Sequence, residues 1–179
     1  MKKLSYKVSL GGVMSASCLL LMFLTGVFPI LAMALPLYAG ILIYVVLDEV
    51  GISWAFLTYL AVSVLSFFIT PNKESSIYFA VFFGSYPIIK VLFEKIHSKV
   101  FEIAGKLLAF NVTVISAAAI AVYLFGLDEF LEDFDFLGQF LVPGLIIFAN
   151  ILFLLYDKTL SLVLTSYVKW FKPTFLKKF

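Results

Sequence analysis

The chain has 179 residues, of which 63% are hydrophobic and only 13% charged, and its formal net charge is +2. Soluble domains are about half apolar and a quarter charged, so this composition excludes a water-soluble globular protein. All 13 basic residues are lysines, and the lack of arginine argues against a nucleic-acid partner, because arginine makes the bidentate contacts with phosphates. The sequence therefore predicts an integral membrane protein that forms one domain over residues 1–179 and has the lipid bilayer as its surroundings.

Six apolar segments have about the length that a helix needs to cross a bilayer. In chain order they cover about 8–28, 30–47, 52–70, 76–89, 107–127 and 137–156. Pro36 lies early enough in the second to mark a helix start or a kink, and Pro71 ends the third. The alternation of ten-residue strands that a membrane barrel needs is missing. We therefore predict an all-α polytopic membrane protein, a compact bundle of six transmembrane helices.

The lysines are distributed unevenly between the ends of these segments. If the N-terminus is cytoplasmic, twelve lysines lie on the cytoplasmic side and only Lys73 lies outside. Such an asymmetry sets the orientation of membrane proteins. The sequence thus predicts a multi-pass protein of the cell membrane with cytoplasmic N- and C-termini.

Two cytoplasmic segments, about 90–106 and 158–172, have amphipathic helical patterns. In the first, apolar residues recur every three or four positions, and Glu102 precedes Lys106 by four residues, a favourable spacing for an ion pair. In the second, polar residues follow each other at steps of three and four. We expect both to lie along the membrane surface, where they bind anionic lipid or present a docking surface to a partner. The candidate partner-binding charges are Lys95, Lys99 and Lys169.

The stretch GLDEFLEDFDFLG, residues 126–138, holds five of the 11 carboxylates and is predicted to lie outside, between the fifth and sixth helices. Its spacing does not match a calcium-binding EF-hand loop. The interpretations are a solvated loop, which we favour, a mouth that attracts cations, and a specific metal site.

No catalytic arrangement is visible, so we predict neither enzyme activity nor a cofactor nor a metal site. His97 is the only histidine, and the predicted spans carry no Asp, Glu, Lys or His between their ends. Neutral polar side chains do occur in the spans. They either join helices through hydrogen bonds or line a pocket for an uncharged or zwitterionic small molecule. The candidate substrate-binding residues are Tyr78, Tyr123, Gln139 and Asn150.

The first helix contains two pairs of small residues four positions apart, Gly11/Ser15 and Gly12/Ala16. Small residues at this spacing let a second helix approach closely in lipid. These four residues are therefore candidates for packing within the bundle or for binding a partner helix.

With its six predicted helices, its size and these small-residue pairs, the chain resembles the substrate-binding S components of energy-coupling-factor (ECF) transporters. In that family an AxxxA motif in helix one packs on a transmembrane coupling subunit, and Gly12 and Ala16, or Gly11 and Ser15, take the matching positions here. The resemblance implies binding of a vitamin or metal from outside, with uptake driven by cytoplasmic ATPases. A different interpretation is a non-enzymatic membrane scaffold that recruits a cytoplasmic-side partner, and a third, disfavoured one is an enzyme that acts on lipid.

Overall fold

The computed structural model describes residues 4–96, 98–125 and 138–169, and it describes side chains in 4–96, 98–116 and 143–169. Every regular element in these ranges is helical, which confirms the predicted all-α fold class. We number the helices in chain order: α1 Leu4–Val27, α2 Ala34–Val50, α3 Ile52–Ile69, α4 Lys73–Tyr78, α5 Tyr86–Phe93, α6 Lys99–Phe125 and α7 Gly138–Ser166. A 3-10 turn, Pro29–Leu31, follows α1, and a π turn, Phe79–Phe83, joins α4 to α5.

Four helical stretches of the described residues are long and apolar enough to cross a membrane: Leu4–Val27, Ile52–Ile69, Lys73–Phe93 and Pro143–Lys169. The second predicted span corresponds to α2, which has 17 residues. The protein is therefore a helical membrane protein by length and composition. The count of six spans and the cytoplasmic placement of both termini stay predictions.

Proline and glycine set the helix boundaries as the sequence indicates. Pro36 lies in the first turn of α2, where no helical hydrogen bond needs its missing N–H. Thr70, the residue before Pro71, has an extended backbone, and α3 ends just before it. Gly51 alone separates α2 from α3, and its φ of 95° lies in the left-handed region that favours glycine.

The two segments predicted to be amphipathic surface helices differ from that prediction. Segment 90–106 is divided, because α5 ends at Phe93 and a new helix begins at Lys99, after Ser98, whose carbonyl oxygen accepts the first hydrogen bond of α6. Serine is a favourable residue at this position. The first part of segment 158–172 continues α7 without interruption as far as Ser166, since no glycine or proline breaks the helix there.

The buried side chains form two cores. The first, which we call the α1–α3 core, consists of Cys18, Met22, Ala39, Ile43, Val46, Ala55, Val62, Phe79 and Ile88. The second, the α5–α7 core, consists of Tyr44, Tyr86, Phe110, Phe153, Tyr156 and Leu160. Helix α2 and the stretch from α4 to α5 contribute to both, so they lie between the two cores.

Candidate functional site

The four predicted substrate-binding residues do not form one described site. Tyr78 is the half-buried last residue of α4, and Asn150 lies on α7. No hydrogen bond joins these two side chains in the described part of the chain. The side chains of Tyr123 and Gln139 lie outside the described residues, so a pocket that combines all four stays a prediction.

Asn150 is engaged in a reciprocal pair with Asn111 of α6. The Nδ2 of Asn111 donates to Oδ1 of Asn150 at 2.9 Å, and the Nδ2 of Asn150 donates to Oδ1 of Asn111 at 3.1 Å. Each amide also donates to a carbonyl four residues earlier in its own helix, those of Leu107 and Ile146, both at 2.8 Å. Both N–H groups of each amide are thus satisfied within the protein, which favours a structural role for Asn150.

Neutral polar groups also gather where α3 meets α4, near Tyr78. Asn72 caps α4 by accepting a hydrogen bond from the backbone N–H of Ser75 at 3.3 Å. The hydroxyl of Ser76 donates to the carbonyl oxygen of Ser66 at 3.1 Å. Thr70 is buried, and its Oγ1 has no hydrogen-bond partner among the described residues. This corner therefore holds a buried hydroxyl that no described residue pairs with.

The two small-residue pairs of α1 have different surroundings. A Cβ added at Gly11, which is buried, would lie 3.5 Å from Oγ1 of Thr58 on α3. A Cβ added at Gly12 would have no atom within 4 Å, and both Gly12 and Ala16 are exposed. Ser15 is half-buried. Gly11 is therefore used for packing within this chain, while Gly12 and Ala16 lie on a face of α1 that the described residues leave open.

The described lysines of the predicted cytoplasmic side differ in exposure. Lys95, Lys99 and Lys169, the predicted partner-binding lysines, are exposed. In contrast, Lys90 is 0% exposed and Lys106 is 4% exposed. Complete burial of a lysine is rare unless its charge is paired.

The two buried lysines belong to a network that we call the ionic cluster, formed by Lys90 of α5, Glu94 directly after α5, Glu102 and Lys106 of α6, and Asp157 of α7. Lys90 forms ion pairs with Oδ1 of Asp157 and, at 3.1 Å, with Oε1 of Glu94. Lys106 binds Oε1 of Glu102 at 2.6 Å and lies 3.4 Å from Oδ2 of Asp157. The cluster thus ties three helices together.

Asp157 is the centre of the ionic cluster. Besides the two lysines, the Tyr86 hydroxyl donates to its Oδ1 at 2.6 Å, and Lys90 also donates to its main-chain carbonyl oxygen at 3.1 Å. Donors from α5 and α6 therefore converge on a single carboxylate of α7. Hydrogen bonds that involve charged groups are about twice as strong as neutral ones, so this carboxylate fixes the relative position of the three helices.

The charges of the ionic cluster nearly balance, with two lysines against three carboxylates. Burial lowers the pKa of Lys106, but the hydrogen bond with Glu102 and the charges of Asp157 and Glu94 outweigh it, so the pKa is raised overall. The stabilisation from this lysine is therefore fully present at neutral pH and is lost only as the pH rises through the raised pKa.

One ion pair of the cluster was predictable from spacing, and the others were missed. The predicted Glu102–Lys106 pair is confirmed. Lys90 was predicted only as part of the amphipathic segment 90–106, and Asp157 received no role, because 67 residues separate the two and no local pattern links them. The signal that could have pointed to Lys90 is the spacing of Tyr86, Lys90 and Glu94, which places all three on one face of a helix.

Next to the ionic cluster, aromatic rings fill the α5–α7 core. The rings of Phe110 and Phe153 stack with centroids 4.6 Å apart, and Phe82 stacks on Tyr86 at 5.3 Å. Tyr86 thus belongs to both the aromatic core and the ionic cluster. Tyr156 is buried in the same core, and its hydroxyl has no hydrogen-bond partner among the described residues.

Another carboxylate, the buried Glu49 near the end of α2, joins α1 to the residue that follows α7. The hydroxyl of Tyr6 on α1 lies 3.4 Å from its Oε2, and that of Tyr167, just after α7, lies 3.3 Å from its Oε1. Both tyrosines donate to the same carboxylate. The N-terminal and C-terminal helices are therefore tied to α2 by side-chain hydrogen bonds.

Within the described residues, no group of three or more His, Cys, Asp or Glu could hold a metal ion. His97 and the acidic stretch 128–135 lie outside those residues. No protein-family model matches the chain, and no curated protein or solved structure matches it either. The fold and the site together define a helical membrane protein with a buried ionic cluster and an open small-residue face on its first helix.

Proposed function

We propose that this protein is a membrane-embedded subunit that binds a vitamin-like small molecule or a metal and belongs to an ATP-driven uptake transporter. The observation that carries the proposal is the open face of α1, where Gly12 and Ala16 are exposed and none of the described residues packs on Gly12. Faces of this kind are where helices of different subunits meet in a bilayer.

The physical argument rests on what Gly12 does for this chain alone. A glycine inside a helix costs about 1 kcal/mol relative to alanine. At Gly11 that cost accompanies close packing against Thr58, but Gly12 has no neighbour among the described residues that requires the absence of a side chain. A helix of a transmembrane coupling subunit that packs closely on α1 would require a residue without a side chain at position 12.

The energy for uptake is assigned to partners, because the sequence contains no glycine-rich loop that could bind the phosphates of a nucleotide. In this proposal both termini are cytoplasmic, and the exposed Lys95, Lys99 and Lys169 lie on the side where the ATPases assemble. The ligand enters from the opposite side, where Tyr78 ends α4 and where the hydroxyl of Thr70, just after α3, has no partner among the described residues.

A second candidate function is a non-enzymatic membrane scaffold that recruits a cytoplasmic-side partner. The pairing of Asn150 with Asn111 favours it, because this pairing occupies the N–H groups of a residue that was predicted to bind substrate. The two candidates share the docking face on α1 and differ in what binds there.

The test is an affinity purification of the tagged protein from native membranes in mild detergent, followed by mass spectrometry. We expect a transmembrane coupling protein and a pair of ATPases to co-purify with the wild type. Gly12→Leu should abolish their recovery, because the new side chain fits the isolated protein but keeps the partner helix away.

Gly144→Leu is the matched control, since Gly144 on α7 is also exposed and also has no atom within 4 Å of an added Cβ. This variant should recover the partners as the wild type does. Recovery of a different membrane complex would support the scaffold, and equal recovery with Gly12→Leu and the wild type would contradict docking on α1.

A further inference from the structure

The helical stretch from Lys73 to Phe93 contains one more residue than a regular α-helix would accommodate. The N–H of Gly84 donates to the carbonyl oxygen of Phe79, five residues earlier, at 2.8 Å. Gly84 and Ser85 keep helical backbone angles, with φ of −80° at each, so the helix continues through the π turn. A π turn of this kind is often found at functional sites.

Side chains from inside and outside the helix stabilise the π turn where it is. The Tyr59 hydroxyl of α3 donates to the carbonyl oxygen of Ala80 at 2.7 Å. The Ser85 hydroxyl lies 3.0 Å from the carbonyl oxygen of Val81 and 3.1 Å from that of Phe82. These hydrogen bonds favour the π turn at this position of the helix.

Neighbouring groups also leave one hydrogen bond unmade. Pro87 has no N–H to give to the carbonyl group of Phe83, four residues earlier. That carbonyl oxygen faces Gly40 of α2, where an added Cβ would lie only 2.3 Å away from it. The same added Cβ would lie 3.0 Å from the hydroxyl oxygen of Tyr156, which has no hydrogen-bond partner among the described residues. A buried donor without a partner and a carbonyl oxygen without its helical donor thus lie on the same side of the π turn.

The extra residue also sets which side chains of α5 face α7. Tyr86 and Lys90 are four residues apart on one face, and both bind Oδ1 of Asp157. Each residue adds about 100° of rotation and 1.5 Å of rise to a helix. If the π turn moved past the end of α5, α5 would rotate by about this angle, and the side chains of Tyr86 and Lys90 would no longer reach Asp157.

We propose that the π turn is a conformational joint that links α4, at the start of the stretch Lys73–Phe93, to the ionic cluster at its end. In the state described above, the π turn lies at Phe79–Phe83, and Tyr86 and Lys90 of α5 bind Asp157. In the other state, the π turn has moved along α5, Tyr86 and Lys90 no longer bind Asp157, and the Tyr156 hydroxyl donates to the carbonyl oxygen of Phe83. The first state dominates in the isolated chain, because the second separates buried charges.

The proposal is independent of which function the protein has, and its test needs no ligand. Two spin labels, on the exposed Leu92 of α5 and the exposed Leu155 of α7, report the rotation as a distance between them in nanodiscs. The only cysteine, Cys18, is replaced by alanine in every sample. A second pair, on the exposed Leu20 and Leu57 of α1 and α3, is the control and should keep one distance throughout.

Asp157→Asn removes the charge that favours the first state, so a second distance, different by several ångströms, should appear between residues 92 and 155. Deleting Val81 removes the extra residue and converts the π turn to an α turn, while both flanking helices keep their faces. Asp157→Asn combined with this deletion should therefore show a single distance.

A second distance that is equally populated with and without Val81, or mere broadening in both backgrounds, would overturn the proposal. If the deletion variant does not fold, Tyr59→Phe replaces it, since it removes the hydrogen bond to Ala80 that keeps the π turn in place. In the Asp157→Asn background it should increase the second population, and no change there would equally contradict a joint.

Discussion

The α1–α3 region and the α5–α7 region are stabilised by different chemistry. In the first, small residues let helices approach, as where Gly11 lies against Thr58, and the core is almost entirely apolar. In the second, three helices are joined by paired charges and stacked rings. Side chains packed in an apolar region tolerate replacement when their volume is kept, whereas a buried charge depends on each of its partners. The two regions should therefore respond differently to mutation.

The largest effect should come from Lys90→Met, which removes a buried charge of the α5–α7 region and leaves the carboxylates of Asp157 and Glu94 with fewer partners. Breaking a buried pair in this way destabilises a protein by about 3–5 kcal/mol. Unfolding of the purified protein in detergent, followed by circular dichroism during denaturant titration, measures the change.

Lys99→Met is the matched control, because Lys99 is exposed, and it should change the unfolding free energy by less than about 0.5 kcal/mol. The double variant Lys90→Met/Asp157→Leu should recover part of the loss, since no buried charge of that pair is left. Equal stability of Lys90→Met and Lys99→Met would show that the ionic cluster does not stabilise this region.

An intermediate effect is expected from Gly40→Ala, at the boundary between the two regions. The new Cβ would lie 2.3 Å from the carbonyl oxygen of Phe83, a main-chain atom that a rotamer change cannot move. Such overpacking costs about 1–3 kcal/mol. The same substitution at Gly144, where nothing lies within 4 Å, should be neutral or slightly stabilising. Thermal stability of both variants in one detergent checks the difference, and matching stabilities would contradict the close approach of α2.

The smallest effect should come from the asparagine pair between α6 and α7. Double-mutant cycles on pairs of side chains that hydrogen-bond between membrane helices give a coupling free energy of about 0.6 kcal/mol on average. A double-mutant cycle with Asn111→Leu and Asn150→Leu should therefore give a coupling free energy near this value. A coupling energy of zero would mean that the amides do not pair, and Asn150 would again be a candidate for binding a ligand.

Much of the fold was predictable because the signals are local. Pro36, Gly51 and Pro71 mark helix boundaries at the positions that their backbone restrictions dictate. The division of segment 90–106 was missed, because the apolar periodicity continues on both sides of the turn and conceals the new start after Ser98. The π turn was missed as well, since one extra residue inside an apolar run leaves no trace in composition.

For the candidate site, prediction succeeded where both partners lie on one helix. Glu102 and Lys106 pair as their spacing of four residues indicates. Small-residue spacing also singled out two pairs on α1, whose role in binding a partner stays a prediction, but it could not tell that Gly11 lies against α3 while Gly12 is exposed. That distinction depends on how α1 is rotated about its own axis, and only contacts with other helices fix such a rotation.

The sequence by itself determined that this is a helical membrane protein, because burial of backbone hydrogen bonds in lipid leaves so apolar a chain few alternatives. It also determined two helix boundaries, the start of α2 near Pro36 and the end of α3 before Pro71. Only the tertiary structure decided that Lys90 and Lys106 are buried and that Asp157 receives them both. The physical reason is that these charges meet across three helices, so their pairing depends on packing between distant segments rather than on any local pattern.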